Sequence, residues 1–84
     1  MTSWLRCRVG RGMLPGEYTV TTRTSQGQEI SLFAPEKFVQ PDKGFVAVIV
    51  VETRAGHALV MLPAQPLETP SKTVTVPSRE LVAQ

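Results

Sequence analysis

Several residue types on which protein chemistry depends are scarce in this chain. It contains one cysteine, one histidine, one tryptophan and one tyrosine. The single Cys7 cannot form an internal disulfide, which is typical of a reducing compartment. His57 cannot form a metal site with one distant cysteine, and no Ser, Asp or Glu has the spacing of a catalytic triad. We therefore expect no metal, no cofactor and no enzymatic activity.

Long apolar segments are also absent. The longest apolar run lies between Phe45 and Val51 and is far shorter than the roughly 18–20 residues that cross a membrane. Three arginines, Arg6, Arg8 and Arg11, interrupt the N-terminal region, so a signal-peptide core is not predicted. These features predict a cytoplasmic protein that does not engage a membrane.

Length and composition predict one small β domain over residues 1–84. An apolar content of 42% and a mean hydropathy near zero are typical of a folded chain rather than a disordered one. The formal net charge of +2 is too small to indicate a polyanionic partner by itself.

Residues 43–62 carry the strongest structural pattern, that of two strands folded back on each other. Val and Ile fill the run from Phe45 to Val51, which favours a buried strand over a helix. The turn is predicted at Arg54-Ala55-Gly56 with Gly56 left-handed, because a two-residue type I′ turn would need positive φ at Ala55. The resulting register pairs Ile49 with Met61, Val50 with Val60, Val51 with Leu59 and Glu52 with Ala58.

Alternation along this hairpin produces two apolar faces. One face holds Phe45, Ala47, Ile49, Val51, Leu59 and Met61, and the other holds Val46, Val48, Val50, Ala58, Val60 and Leu62. A chain of 84 residues has little material to cover both faces, so one is expected to be exposed as an interface. The residues assigned to that interface are Phe33, Val46, Val48, Val50, Val60 and Leu62.

Other segments complete a β pattern. Trp4 to Val9 alternates as one half-buried strand. Glu17 to Ala34 is predicted as a hairpin whose register pairs Arg23 with Glu29. Lys72 to Val76 is a short final strand, and single helical turns are expected after Pro35 and Pro77. The predicted fold is therefore all-β, a small five- or six-stranded barrel or rolled antiparallel sheet of SH3-like architecture.

Two functions remain open at this level. The first is a non-enzymatic interaction module whose exposed apolar sheet face meets a protein partner or a second copy of the chain. The second is nucleic-acid binding, because arginines beside an aromatic on an exposed strand can neutralise phosphates while a base stacks. The same stripe is also, and more commonly, the pattern of an edge strand whose charges discourage unwanted pairing and whose Trp caps the core. The stripe and its extension comprise Trp4, Arg6, Arg8, Arg11 and Arg23.

Overall fold

The structure, a computed structural model, describes residues 2–83. These residues form nine strands: β1 (Thr2–Arg6), β2 (Arg8–Arg11), β3 (Glu17–Arg23), β4 (Glu29–Pro35), β5 (Val39–Gln40), β6 (Phe45–Arg54), β7 (His57–Met61), β8 (Thr73–Pro77) and β9 (Leu81–Ala83). Two single 3-10 turns, Glu36–Phe38 and Ser78–Glu80, confirm the helical turns predicted after Pro35 and Pro77.

The strands divide into two antiparallel sheets. The large sheet has the order β8-β7-β6-β1-β9, with β5 also paired to the start of β6. The small sheet has the order β2-β3-β4. The all-β prediction is therefore confirmed. Over residues 2–83 the two sheets do not close into a barrel, and the SH3-like architecture stays a prediction.

The hydrophobic core is formed where the inner faces of the two sheets meet. Alternate side chains of each strand point inward, and the inner set is almost wholly apolar. The largest fully buried side chains are Leu5, Val46, Val48, Val60 and Val76 from the large sheet and Val20, Ile30 and Leu32 from the small sheet. Each burial of this kind contributes about 1.5–3 kcal/mol, so packing between the sheets dominates the stability of the fold.

Cys7 marks the point at which the chain leaves the large sheet for the small one. Its amide donates to the Gly44 carbonyl at 2.8 Å, and the following strand β2 pairs with β3 instead of continuing alongside β6. The prediction of one continuous strand from Trp4 to Val9 is therefore wrong. The alternation itself holds, since Leu5 is buried while Arg6 is exposed. A strand that switches sheets in this way makes a corner of the sandwich.

The hairpin of β3 and β4 has the predicted register, with Val20 opposite Leu32 and Arg23 opposite Glu29. Gly27 has a φ of +85°, a conformation that glycine adopts without steric cost. The tip of this hairpin is also docked on the large sheet, because the Ser25 amide donates to the Thr75 carbonyl at 2.9 Å.

The hairpin of β6 and β7 follows the predicted register only in the part away from its turn. Ile49 lies opposite Met61 and Val50 opposite Val60, but Glu52 lies opposite Leu59 because Val51 is accommodated in a bulge. The predicted turn is wrong: Ala55 has a φ of +50° and Gly56 a φ of +83°. Positive φ at both central residues is the mark of a two-residue type I′ turn. The two-residue turn shifts the pairing next to it by one residue, and the bulge at Val51 restores the predicted register from Val50 to Ile49.

Ala55 is the only described non-glycine residue with positive φ, so the Ala55→Asn substitution should stabilise the protein. Asparagine tolerates the left-handed region, and Asn-Gly is a preferred type I′ pair; we expect a gain of about 0.5–1 kcal/mol in the free energy of unfolding. Urea denaturation measures this gain. The matched control is Gln26→Asn in the other hairpin turn, where φ is not positive and no gain is expected.

The proline-rich stretch after Leu62 covers an edge of the small sheet. The Leu67 amide donates to the Ser31 carbonyl at 2.8 Å, and the Ser31 amide donates to Glu68 Oε1 at 2.7 Å. Pro66, which directly precedes Leu67, is buried. Both free backbone groups of Ser31 in β4 are thereby satisfied, which protects that part of the edge from pairing with another chain.

Candidate interaction surfaces

The side chains predicted to form an interface lie mainly in the core. Val46, Val48, Val60 and Leu62 are at most 2% exposed, and Val50 is half-buried against the core. Phe33 is half-buried on the small sheet. The hairpin therefore does have an exposed apolar face, but it is the opposite face from the one assigned.

The exposed face belongs to the large sheet, where neighbouring outward side chains from four strands are apolar, with Thr2 and Arg6 of β1 as polar exceptions. Trp4 is paired with both Val82 and Ala47, and Ile49 is paired with Met61, so these side chains are neighbours across the strands. We name this surface the outer apolar face; it comprises Trp4, Phe45, Ala47, Ile49, Leu59, Met61 and Val82.

Aromatic stacking and exposure characterise the outer apolar face. The rings of Trp4 and Phe45 have centroids 6.5 Å apart and an interplanar angle of 28°, which is an offset-stacked geometry. Ile49 is 49% exposed and Met61 41% exposed. Large apolar side chains that remain this open in a connected patch are typical of contact surfaces.

Ion pairs lie at two ends of the outer apolar face. Arg54 Nη2 lies 3.2 Å from Glu52 Oε2, and Arg6 Nε lies 3.3 Å from Glu80 Oε2. The Arg6 guanidinium also lies over the Phe45 ring, 5.8 Å from its centroid, in a cation–π contact. An apolar centre with a charged, internally neutralised margin has the anatomy of a protein interface.

The predicted nucleic-acid stripe is divided between the two sheets. Trp4 and Arg6 lie on the large sheet, whereas Arg8, Arg11 and Arg23 belong to the small sheet. Arg11 is paired with Tyr18 at the far end of β2. The stripe is not one continuous strand face because the chain passes from the large sheet to the small sheet at Cys7.

Three of these arginines meet again in an open groove where the two sheets adjoin. The groove has a volume of about 690 Å³ and is lined by Arg6, Arg8, Arg23 and Arg79 together with Glu29 and Glu80. We name it the arginine groove. Sequence reasoning missed Arg79 and Glu80. They lie in the 3-10 turn after Pro77, more than seventy positions after Arg6, and no local sequence pattern links the two segments.

Cys7 and His57 have ordinary environments. Burial raises the pKa of the Cys7 thiol to about 11, so the thiol is protonated at neutral pH and a poor nucleophile. The exposed His57 forms a hydrogen bond of 2.8 Å between Nδ1 and the Ser25 hydroxyl, which links the tip of the β3–β4 hairpin to the large sheet. The role of His57 in this contact is structural.

Between residues 2 and 83, no three His, Cys, Asp or Glu side chains lie together as metal ligands would. The same residues include no helix with the length and apolar character needed to span a bilayer.

A tight loop between β2 and β3 presents the two most exposed large apolar side chains among residues 2–83, Met13 at 79% and Leu14 at 66%. Glu17 Oε1 accepts hydrogen bonds from both of their amides, at 3.2 Å and 3.1 Å. A Cβ atom added to Gly12 would overlap the Glu17 carbonyl oxygen. The loop is therefore closed by direct contact between Gly12 and Glu17, a constraint that sequence reasoning did not detect.

Comparison of the chain with protein-family models, with curated proteins and with solved structures finds no match in any of the three.

Proposed function

We propose that the protein is a non-enzymatic interaction module whose outer apolar face pairs with the same face of a second copy. The observation that carries the proposal is the set of connected apolar side chains on the outside of the large sheet, of which Ile49 and Met61 are more than 40% exposed. Burying such side chains releases about 25 cal/mol per Å² of apolar area. The protein gains this free energy only when another surface covers the face.

A second copy suits this face because the face is chemically complementary to itself. Its centre is apolar, and the nearest charges are already paired within the chain as Arg6 with Glu80 and Arg54 with Glu52. Two such faces can meet about a two-fold axis without opposing like charges. A strongly charged partner would gain little from an apolar centre.

Dimensions indicate that the pairing is weak. Four strands about 4.8 Å apart with about five residues each span roughly 15 Å by 17 Å. This footprint is smaller than the roughly 800 Å² that each partner buries in a standard interface. We therefore expect a dissociation constant on the order of 100 μM, within reach of concentrated solutions.

Sedimentation velocity from about 10 μM to about 1 mM tests this proposal, since these limits bracket the expected dissociation constant. The weight-average sedimentation coefficient should rise with concentration, and Trp4 emission should shift to the blue as the indole becomes buried. Ile49→Lys should abolish both changes. The matched control is Leu67→Lys, which places the same charge at another exposed apolar position, 65% against 49% exposed, away from the face.

A wild-type protein that remains monomeric to the highest concentration would contradict the proposal. So would equal weakening by Ile49→Lys and Leu67→Lys, because that result would show a general effect of charge. The same proposal includes an SH3-like architecture, a cytoplasmic location and the absence of enzymatic activity.

A further inference from the structure

The arginine groove is a separate surface from the centre of the outer apolar face, and its charge is unbalanced. Its lining provides four guanidinium groups and two carboxylates. Arg79 takes part in no ion pair among residues 2–83. A concave surface with an excess of positive charge attracts anions and raises their local concentration.

Internal carboxylates already occupy the positions that an anion would take. Glu29 Oε2 lies 3.3 Å from Arg8 Nη2 and 3.4 Å from Arg23 Nη2, so that two guanidinium groups share one oxygen. On the opposite side, Glu80 Oε2 is 3.3 Å from Arg6 Nε. The three arginine side chains are more than half exposed, Glu29 is 51% exposed and Glu80 36% exposed. Because solvent reaches every one of these pairs, they contribute little stability and can be exchanged for other anions, the Glu29 pairs more readily than the Glu80 pair.

The geometry around Glu29 indicates which anion fits. Two guanidinium groups converging on one oxygen is an arrangement suited to phosphate oxygens, which arginine recognises through its planar fork of donors. Several phosphates spaced along a chain would use Arg8, Arg23 and Arg79 together more fully than one isolated phosphate.

Two aromatic rings lie just outside the lining of the groove, next to Arg6, and indicate a ligand that also carries bases. Arg6 belongs to both surfaces, since it lines the groove and lies over Phe45, which in turn stacks with Trp4. Basic groups that follow a backbone next to aromatic rings that accept bases are the two components of single-strand recognition. In a duplex the bases are already stacked on each other and unavailable to the rings.

We propose that the arginine groove binds the sugar-phosphate backbone of single-stranded nucleic acid, with a base placed on the Trp4–Phe45 pair. Arg6, Arg8, Arg23 and Arg79 contact phosphates, and Glu29 and Glu80 are displaced competitors. Arg11 has no part in the site, because it does not line the groove. The proposal does not depend on self-association of the protein.

Fluorescence anisotropy of a fluorescein-labelled oligothymidylate of about 15 nucleotides, near the upper site size of small single-strand-binding folds, tests the proposal. Affinity should fall as salt rises, with a slope of log K against log salt near −0.7 for each phosphate neutralised. Arg79→Ala should weaken binding by about threefold to tenfold at low salt and make the slope shallower by about 0.7. Trp4 emission should be quenched on binding.

Matched variants separate the groove from overall charge. Arg54→Ala removes the same charge at the other end of the large sheet, outside the groove, and should leave affinity and slope unchanged. Glu29→Gln should raise affinity by about twofold to fivefold, because it removes an exposed competitor. Glu52→Gln is the control for that change and should have no effect.

Three results would overturn the proposal. The first is no anisotropy change with up to about 100 μM protein at about 50 mM salt, conditions under which even non-specific binders are detected. The second is equal weakening by Arg79→Ala and Arg54→Ala. The third is binding of a duplex of the same length at least as tightly as the single strand, with no change in Trp4 emission.

Discussion

Val48→Lys is expected to unfold the protein or leave it only marginally stable, whereas Ile49→Lys, one residue further along the same strand, should leave the fold intact. Val48 is 2% exposed and faces the small sheet, while Ile49 is 49% exposed on the outer apolar face. A buried, unpaired ammonium group costs about 3–5 kcal/mol. The whole domain has a free energy of unfolding of about 4–12 kcal/mol by the usual value per residue. The loss therefore consumes much or all of the available stability.

Far-UV circular dichroism and urea denaturation measure the contrast between these two variants. We expect a cooperative transition for Ile49→Lys within about 0.5 kcal/mol of the wild type, as for most exposed substitutions. Val48→Lys should show no native baseline, or a greatly reduced midpoint. The reverse order would mean that the hairpin turns its other face to the core, and both proposed surfaces would then be misplaced.

The identity of the buried hairpin face could not be predicted from residues 45–62. A period-two pattern identifies strands by contrast between polar and apolar positions, and here both sets of positions are apolar. Which face is buried is determined by the small sheet, because its inner side chains Val20, Ile30 and Leu32 can cover only one face of the hairpin. That information lies in the pairing of distant segments and in the hand of the connections, which no local pattern contains.

The register of the β3–β4 hairpin was predictable for the converse reason. Its inward residues are apolar apart from Thr22 and its outward residues polar apart from Phe33, so only one register places Tyr18 and Val20 inside while matching Arg23 with Glu29. A glycine at the turn agreed with that register. In the β6–β7 hairpin the same reasoning failed at the turn around Ala55. A two-residue turn with a bulge at Val51 leaves Val50 facing the core, and so does the predicted turn, so the burial pattern does not distinguish the two.

The candidate sites show the same division between local and distant information. Trp4 and Arg6 were identified because they are close in sequence and alternate with inward residues. Phe45 contacts Arg6 on the outer apolar face and comes from β6, whereas Arg79 lines the arginine groove with Arg6 and comes from the 3-10 turn after Pro77. Because Trp4 and Phe45 belong to the outer apolar face and also adjoin the groove, a base stacked on them would occlude part of the dimer surface. The two proposed interactions are therefore mutually exclusive at that end of the sheet.

Gly12→Ala is the other substitution for which we expect a large effect. The added Cβ would overlap the carbonyl oxygen and Cγ of Glu17, and backbone cannot yield as a flexible side chain can. Gly12 does not have positive φ, so the cost is steric alone. Forcing Glu17 away also removes the acceptor for the amides of Met13 and Leu14. We expect the free energy of unfolding to fall by about 2–3 kcal/mol, in the range of overpacking substitutions.

Gly10→Ala provides the matched control for that prediction, because it adds the same methyl group to β2 with no atom within 4 Å. Glycine weakens a strand relative to alanine, so this variant should be neutral or gain up to about 0.5–1 kcal/mol. Urea denaturation gives the sign of each change, and hydrogen exchange should show loss of protection at Met13 and Leu14 in Gly12→Ala only. Equal stability of the two variants would show that the loop opens freely, in which case Met13 and Leu14 are not held by Glu17.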